Sequence, residues 1–512
     1  MPPLNIRKNA IAGVLEPISV GLAYFVSYAA LIRVAGADDV GVWSLLLVAL
    51  SVARLADLKV GDALLHYVPH CEARGHRAGS VAYIETATLI VTAVFVVLCL
   101  LGLAPLRWIM HAVIPAHKHA LLEALLPFAL VSMFATNVGS VSMSALGSTQ
   151  RMFARNLIQI AGSLTMMGVT LALVHEWGVI AAGWGLAAQS IVVMAAGWFV
   201  LRASLPELTW IPRKLGMAEA RTMFDYGLRL QVVSLALFFL EPVTRLLLGR
   251  FASLADVTYF SLAWRLVSQV RGVIFSAVFG LVPAFGLLAS ADPGRRDALY
   301  ARTNAMMFGL GPPLLAAAAA IAPLAAELLI GTRSDALVAY SVMLSFGWLA
   351  ATVNLGPYIR ALGEGRARWN IYGHVATAML NVTLAPVLAW RWGGIGAAFG
   401  AALALGVGSL IVMAGNHRSF GGRILDLFDG PALRVLAVSW SALAVDLWLY
   451  DTYRDALGYW AVAGMMLVCG LGLVCGALWL HPVRHTLQAA AGRRPLDATG
   501  DATLRPLQVD II

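Results

Sequence analysis

Charge is what this chain of 512 residues has least of. Asp, Glu, Lys and Arg together make up 12%, about half of the roughly 25% usual for a soluble protein. Cysteine is scarce as well. Cys71, Cys99, Cys469 and Cys475 define no disulfide framework and read as small apolar core residues. Long polar loops are missing, which argues against a large catalytic domain outside an apolar core. No phosphate-cradling Gly-Lys loop, Ser/His/Asp grouping or Cys/His zinc spacing occurs. No cofactor, metal or catalytic residue is therefore expected. His111, His117 and His119 in HAVIPAHKH lack ligating neighbours and read as an exposed polar turn. The start, MPPLNIRKNAIAGVLEP, lacks the short apolar core and small-residue cleavage site of a secretory signal.

What fills the space is apolar. The chain is 60% hydrophobic, with a mean hydropathy of +0.80. Its apolar runs repeatedly approach about 20 residues, the length a helix needs to cross about 30 Å of hydrocarbon. They do not alternate with period two, as the strands of a membrane barrel do. The expectation is an all-α polytopic membrane protein with about 14 transmembrane helices. With the N-terminus inside, about 23 cations fall on the cytoplasmic side and about seven on the outer side. That asymmetry predicts cytoplasmic N- and C-termini. It also accounts for the net charge of +9 without a nucleic-acid partner.

The chain contains a duplication. Residues 31–54 and 248–271 are identical at nine of 24 positions at a shift of 217. The pairs include Arg33 with Arg250, Asp39 with Asp256, Val40 with Val257 and Arg54 with Arg271. The same shift pairs Asn137 and Gly139 with Asn354 and Gly356. Further along, Ala145-Leu146-Gly147 matches Ala361-Leu362-Gly363, and Trp177-Gly178-x-Ile180 matches Trp392-Gly393-x-Ile395. Anchors in this order, rich in Arg, Asp, Asn and Trp, do not arise from chance likeness between apolar helices. Six spans per copy is an even number, so both copies enter the membrane alike. This predicts two six-helix lobes related by a pseudo-two-fold axis along the membrane normal, with a substrate site between them. The expected division is 1–205 for the first lobe, 206–220 for a cytoplasmic linker and 221–418 for the second lobe. Two extra transmembrane helices at 431–480 and a cytoplasmic tail at 481–512 follow.

A charge at the bilayer centre costs at least about 2.5–3.5 kcal/mol, so each one calls for a role. Arg54 and Arg271 are repeat equivalents at equal depth in their spans. Two guanidiniums facing one cavity suit a diphosphate, which Arg binds bidentately. Arg265, Lys59 and Arg245 could enlarge that basic surface. Asp57, Glu16, Asp62, Asp225 and Glu241 are candidates for ion or proton coupling, with local salt bridges as the plainer reading; Arg54 and Asp57, three apart, could neutralise each other. Glu16-Pro17 and Glu241-Pro242 also imply kinks. Arg33 and Arg250 sit at helix ends and read as snorkelling or capping groups. Asn137 and Asn354 read as hydrogen bonds between helices.

The segment GADDVGVWSLLLVALSVARLADLKVGDALLHYV, LLLGRFASLADVTYFSLAWRL and LNVTLAPVLAWRWGGIGAAFGAALA together resemble the Wzx-like polysaccharide transporters. These belong to the multidrug/oligosaccharidyl-lipid/polysaccharide (MOP) exporter superfamily. The likeness is a diffuse pattern over about 400 residues rather than a catalytic signature. It implies a two-lobed flippase of the bacterial inner membrane. Such a protein carries an undecaprenyl-diphosphate-linked oligosaccharide to the outer leaflet by alternating access, for surface polysaccharide assembly. By the same resemblance, cavity cations hold the diphosphate, which fits Arg54, Arg265 and Arg271. The extra helices would flank a groove for the lipid tail, and the partners would be membrane lipids, a polymerase and export machinery. A multidrug antiporter of the same superfamily is the alternative, but paired arginines are poor hosts for organic cations. A membrane glycosyltransferase or polymerase would need longer outer loops.

Overall fold

The computed structural model describes residues 6–53, 60–149, 151–225, 227, 239–279, 281–428 and 430–479. Among the described residues every regular element is helical. The first lobe contains α1 (Ile6–Ala35), α2 (Ala37–Ala53), α3 (Val60–Ala73), α4 (Arg77–Leu101), α5 (Leu103–Val113), α6 (His119–Ser148), α7 (Met152–Trp177) and α8 (Ile180–Ser204). The second contains α9 (Glu241–Phe251), α10 (Leu254–Phe279), α11 (Val282–Ala291), α12 (Pro293–Ala320), α13 (Ala322–Ile330), α14 (Asp335–Val353), α15 (Leu355–Gly363) and α16 (Arg368–Ser419). A C-terminal pair, α17 (Gly430–Leu457) and α18 (Tyr459–Trp479), packs against itself and against α12. Ten helices among the described residues are long and apolar enough to cross a membrane. The chain is a multi-pass membrane protein.

Helix ends follow local chemistry. Asp292 caps α12 by accepting a hydrogen bond from the Arg295 N–H, and Ser334 caps α14 by accepting one from the Leu337 N–H. α16 is 52 residues long but is two limbs joined at Trp392–Gly393. Its Gly393 has φ 58° and ψ −136°, and Gly178, the repeat equivalent, has φ 53° and ψ −132° between α7 and α8. A side chain disfavours that backbone region, so glycine is required at both turns.

The duplicated sequence therefore folds twice in the same way. Beyond the two turns, Gly185 lies on Thr170 in the first lobe, and Gly400 lies on Ala385 in the second. These are equivalent contacts, and the small residues let the helix backbones approach closely.

The lobes meet along a seam between the starts of α2 and α10. The Thr258 hydroxyl donates to the Ala37 carbonyl at 2.7 Å. Gly41 lies so close to the Leu254 carbonyl that a Cβ there would overlap it. Val40 and Val257, another equivalent pair, are fully buried. Arg33 donates across the seam to the Leu328 carbonyl of α13. It thus bridges the lobes near the end of α13 while its side chain stays exposed.

Residues 206–220 are held against α4. Buried Glu85 accepts from the Thr209 hydroxyl at 2.6 Å, and the Thr86 hydroxyl accepts from the Gly216 N–H at 2.9 Å. Arg202 of α8 stacks over Trp210, 4.0 Å from the ring centroid.

Candidate functional site

Each lobe holds a cavity, and the two share part of their walls by the repeat: α6, α7 and α8 in the first, α14, α15 and the two limbs of α16 in the second. The first, of about 460 Å³, is walled by α1, α3, α6, α7 and α8. The second, of about 310 Å³, is walled by α10, α14, α15 and both limbs of α16, with Leu240 at one side. Gln159 and Val193 in the first correspond, at the shift of 215, to His374 and Gly408 in the second. Both lie away from the seam: Arg271 is 17 residues beyond Leu254, roughly 26 Å along the helix axis.

The second cavity is cationic and aromatic. Arg271 lines it with Trp348, Phe275, Tyr358 and His374. The guanidinium sits 4.4 Å from the centre of the Trp348 ring and 5.4 Å from that of Phe275, placements that stabilise a cation without neutralising it. The Arg271 Nε is buried, with no hydrogen-bond partner among the described residues. No carboxylate among the described residues lines the cavity. A guanidinium with no carboxylate beside it among the described residues, in a mostly apolar hollow, has the chemistry to attract an anion.

The other basic candidates go elsewhere. Arg265 points across to the first lobe, its guanidinium 3.8 Å from the centre of the Tyr24 ring and 5.8 Å from that of Tyr28. Arg245 forms an ion pair with Glu241 one turn earlier. That contact pairs a candidate anion ligand with a candidate coupling acid, and neither lines a described cavity. Arg54, Asp57 and Lys59 lie outside the described residues, so the Arg54–Arg271 pairing has only its second member on view. The hollow around Arg271 is walled, among the described residues, by the second lobe alone rather than shared between lobes.

Among the acids, Glu16 is half-buried on α1 and within electrostatic reach of Arg155. Asp62 lies on α3. Asp225 is exposed at the end of the helical run 217–225. Asn354 donates across helices to the Ser409 carbonyl at 3.1 Å, as its sequence context suggested. Asn137 does not; it donates at 2.7 Å to the Met133 carbonyl of its own helix. His111 and His119 stack at 4.1 Å, and no group of three metal-ligating side chains occurs among the described residues.

Sequence reasoning missed three residues. Tyr358 and His374, beside Arg271, carried no signal as single polar residues among apolar ones; only the repeat offset from Gln159 could have found His374. Asp446 is the third. It is buried on α17, 6% exposed, with its Oδ1 unpartnered among the described residues. It lines a separate apolar hollow of about 340 Å³ between α12 and the C-terminal pair.

An all-helical membrane bundle of two repeated lobes is the fold of MOP-superfamily transporters. Lipid II flippase MurJ in an inward closed conformation superposes with a TM-score of 0.70 at 13% identity, over 95% of this chain and 99% of that one. A MATE family multidrug transporter in an inward-facing conformation gives 0.69 at 14% identity, over 82% and 98%. An outward-facing MATE family transporter gives 0.56 at 15%, over 82% and 96%. A family model described as polysaccharide biosynthesis protein matches residues 74–339. The chain belongs to that polysaccharide biosynthesis protein family. Comparison with curated protein sequences finds no match.

Proposed function

We propose that the protein is a flippase for surface polysaccharide assembly. It takes an undecaprenyl-diphosphate-linked oligosaccharide from the inner to the outer leaflet of the bacterial inner membrane, with both termini cytoplasmic. The observation that carries this reading is Arg271, set in a hollow whose described walls supply aromatic and neutral polar groups but no carboxylate. A diphosphate entering that hollow would meet an uncompensated guanidinium in surroundings of low dielectric, where charge-assisted hydrogen bonds are strong. An organic cation would meet repulsion, which disfavours the multidrug antiporter.

Family membership supports the polysaccharide pathway, and the flippase-like backbone supports transport of a lipid-linked substrate. In this reading the seam is the outer gate, here closed, and both cavities face the cytoplasm. That state agrees with the better superposition on inward-facing than on outward-facing transporters. Opening the seam while closing the opposite end would present the substrate to the outer leaflet. Arg54, as the repeat partner of Arg271, would complete the diphosphate clamp.

A deletion strain carrying Arg54→Ala or Arg271→Ala tests the reading. Each variant should be present in the membrane at normal level. Each should accumulate the undecaprenyl-linked intermediate and lose surface polysaccharide. Normal export by both variants would refute the clamp.

A further inference from the structure

The duplicated cavities have diverged in chemistry. Where the second lobe presents Arg271 among aromatic rings, the first presents mostly neutral hydrogen-bonding groups, Ser140, Ser144, Gln159, Gln189 and Ser190, with one cation, Arg155, and the Tyr24 ring alongside. At equivalent positions Gln159 stands for His374, and Ser190 for Leu405. Ser140 and Ser190 donate back to carbonyls of their own helices, but amides facing a hollow inside a membrane bundle are costly unless something polar satisfies them. Among the described residues Gln159 has no hydrogen-bond partner, and Gln189 receives only a long 3.5 Å contact from the Tyr24 hydroxyl. Amide groups that both donate and accept, next to an aromatic ring, match a ligand bearing many hydroxyls.

The two cavities are joined through one helix. Arg271 of α10 lines the second cavity. Arg265, six residues earlier on α10 and so roughly 9 Å away along the axis, stacks on Tyr24, which lines the first. Ser268 and Gln269 lie between the two arginines, and Gln269 packs against Gly21 of α1. A ligand held at Arg271 by an anionic group could thus reach the first cavity along α10 with an adjoining polar part.

We propose that the first-lobe cavity is a glycan subsite, which holds sugar hydroxyls next to the diphosphate through Gln159 and Gln189. The proposal rests on the flippase reading and assigns the sugar-recognising half of its substrate site. In this arrangement the arginines grip what every lipid-linked glycan shares, and the first-lobe amides inspect what differs.

Two probes separate the halves: undecaprenyl diphosphate, and the glycosylated lipid extracted from cells in which this protein has been deleted. Binding of both is measured by tryptophan quenching on the full chain in nanodiscs. Wild type should bind the glycosylated lipid more tightly. Gln159→Leu/Gln189→Leu should lose about tenfold for the glycosylated lipid, the worth of two or so hydrogen bonds, and keep wild-type affinity for undecaprenyl diphosphate. Ser144→Ala, a smaller change that spares folding, should move affinity in the same direction by a few-fold. Equal wild-type affinity for the two lipids would overturn the subsite. So would Gln159 and Gln189 variants, folded by melting temperature, that bind both lipids as wild type does. Arg271→Ala separates the underlying reading: retained undecaprenyl diphosphate binding in that variant would remove the diphosphate contact while leaving the glycan comparison intact.

Discussion

Gly41 and Leu254 touch across the seam with no room for a side chain between them, and the touch has a mirror image. Gly41 is the repeat equivalent of Thr258, and Ala37 that of Leu254. The second contact, from the Thr258 hydroxyl to the Ala37 carbonyl, is therefore the first one carried across the pseudo-two-fold axis. An interface that pairs residue i with j and also j with i is isologous, the form a two-fold axis imposes. Divergence has changed the chemistry but kept the distance: one copy fills the gap with a hydroxyl bonded to the carbonyl, and the other has removed the side chain.

A wedge at this point should hold the seam open. Gly41→Val places a branched side chain against the Leu254 carbonyl, where backbone on both sides cannot yield cheaply. In a background with the native cysteines replaced, Ala37→Cys with Thr258→Cys should crosslink readily. Adding Gly41→Val should cut the crosslinking several-fold and abolish flipping. Undiminished crosslinking would mean that the helices slide past the added bulk, and the seam would not be a rigid gate.

At Arg271 the kind of cation matters, as well as its charge. Arg271→Lys keeps the charge but loses the planar fork that binds two phosphate oxygens at once. It also loses the flat face that lies over Trp348. Export should fall about tenfold or more, the scale of one charge-assisted hydrogen bond at about 1.5–3 kcal/mol. Full activity in the lysine variant would reduce the role of Arg271 to simple charge.

How much of this was legible beforehand depended on whether the signal was periodic or solitary. The apolar runs and the collinear anchors gave the helical bundle and its two-fold repetition, since insertion and duplication each leave marks over many residues. Gly178 and Gly393 were visible as parts of the repeated Trp-Gly motif, although their shared backbone conformation was not. Side-chain destinations were much less legible. Glu241 and Arg245 read as two functional charges, and their spacing of one helical turn lets them pair instead. Arg265 and Arg271 look alike in sequence. Six residues on a helix rotate one toward Tyr24 of the other lobe and the other into its own lobe's hollow. Asp446 lay outside the duplication, so no repeat partner drew attention to it.

A partly buried ion cluster within the second lobe should matter for stability. Arg360, 4% exposed, pairs with Glu364 at 2.9 Å and Asp297 at 3.0 Å, and lies 4.1 Å from the centre of the Phe420 ring. Arg360→Ala would leave the Glu364 carboxylate buried, with only the longer contacts to Arg296 and Arg366, each at 3.7 Å. Breaking a buried pair from one side costs about 3–5 kcal/mol, so the melting temperature in detergent should drop clearly. Arg360→Met with Glu364→Leu removes both charges and should recover most of the loss. If the double variant is no more stable than Arg360→Ala, the cost lies in lost packing over Phe420 rather than in the stranded charge.

The paired turns give the last prediction, and they test the repeat energetically. Gly178 and Gly393 hold nearly the same backbone conformation, φ 53° with ψ −132° and φ 58° with ψ −136°. An alanine Cβ at either site meets no close obstruction: Ala35 Cβ lies 3.8 Å away at the first, and the Phe251 carbonyl oxygen 3.5 Å away at the second. The penalty is therefore backbone strain with little steric overlap, about 1–3 kcal/mol for a residue forced into a sparsely populated region. Gly178→Ala and Gly393→Ala should lower the melting temperature by similar amounts. Because the turns lie in different lobes and share no contact partner, the double variant should show close to the sum. A large loss at one glycine and none at the other would mean that one turn relaxes to a different backbone path, and that the two lobes, alike in shape, are no longer alike in rigidity.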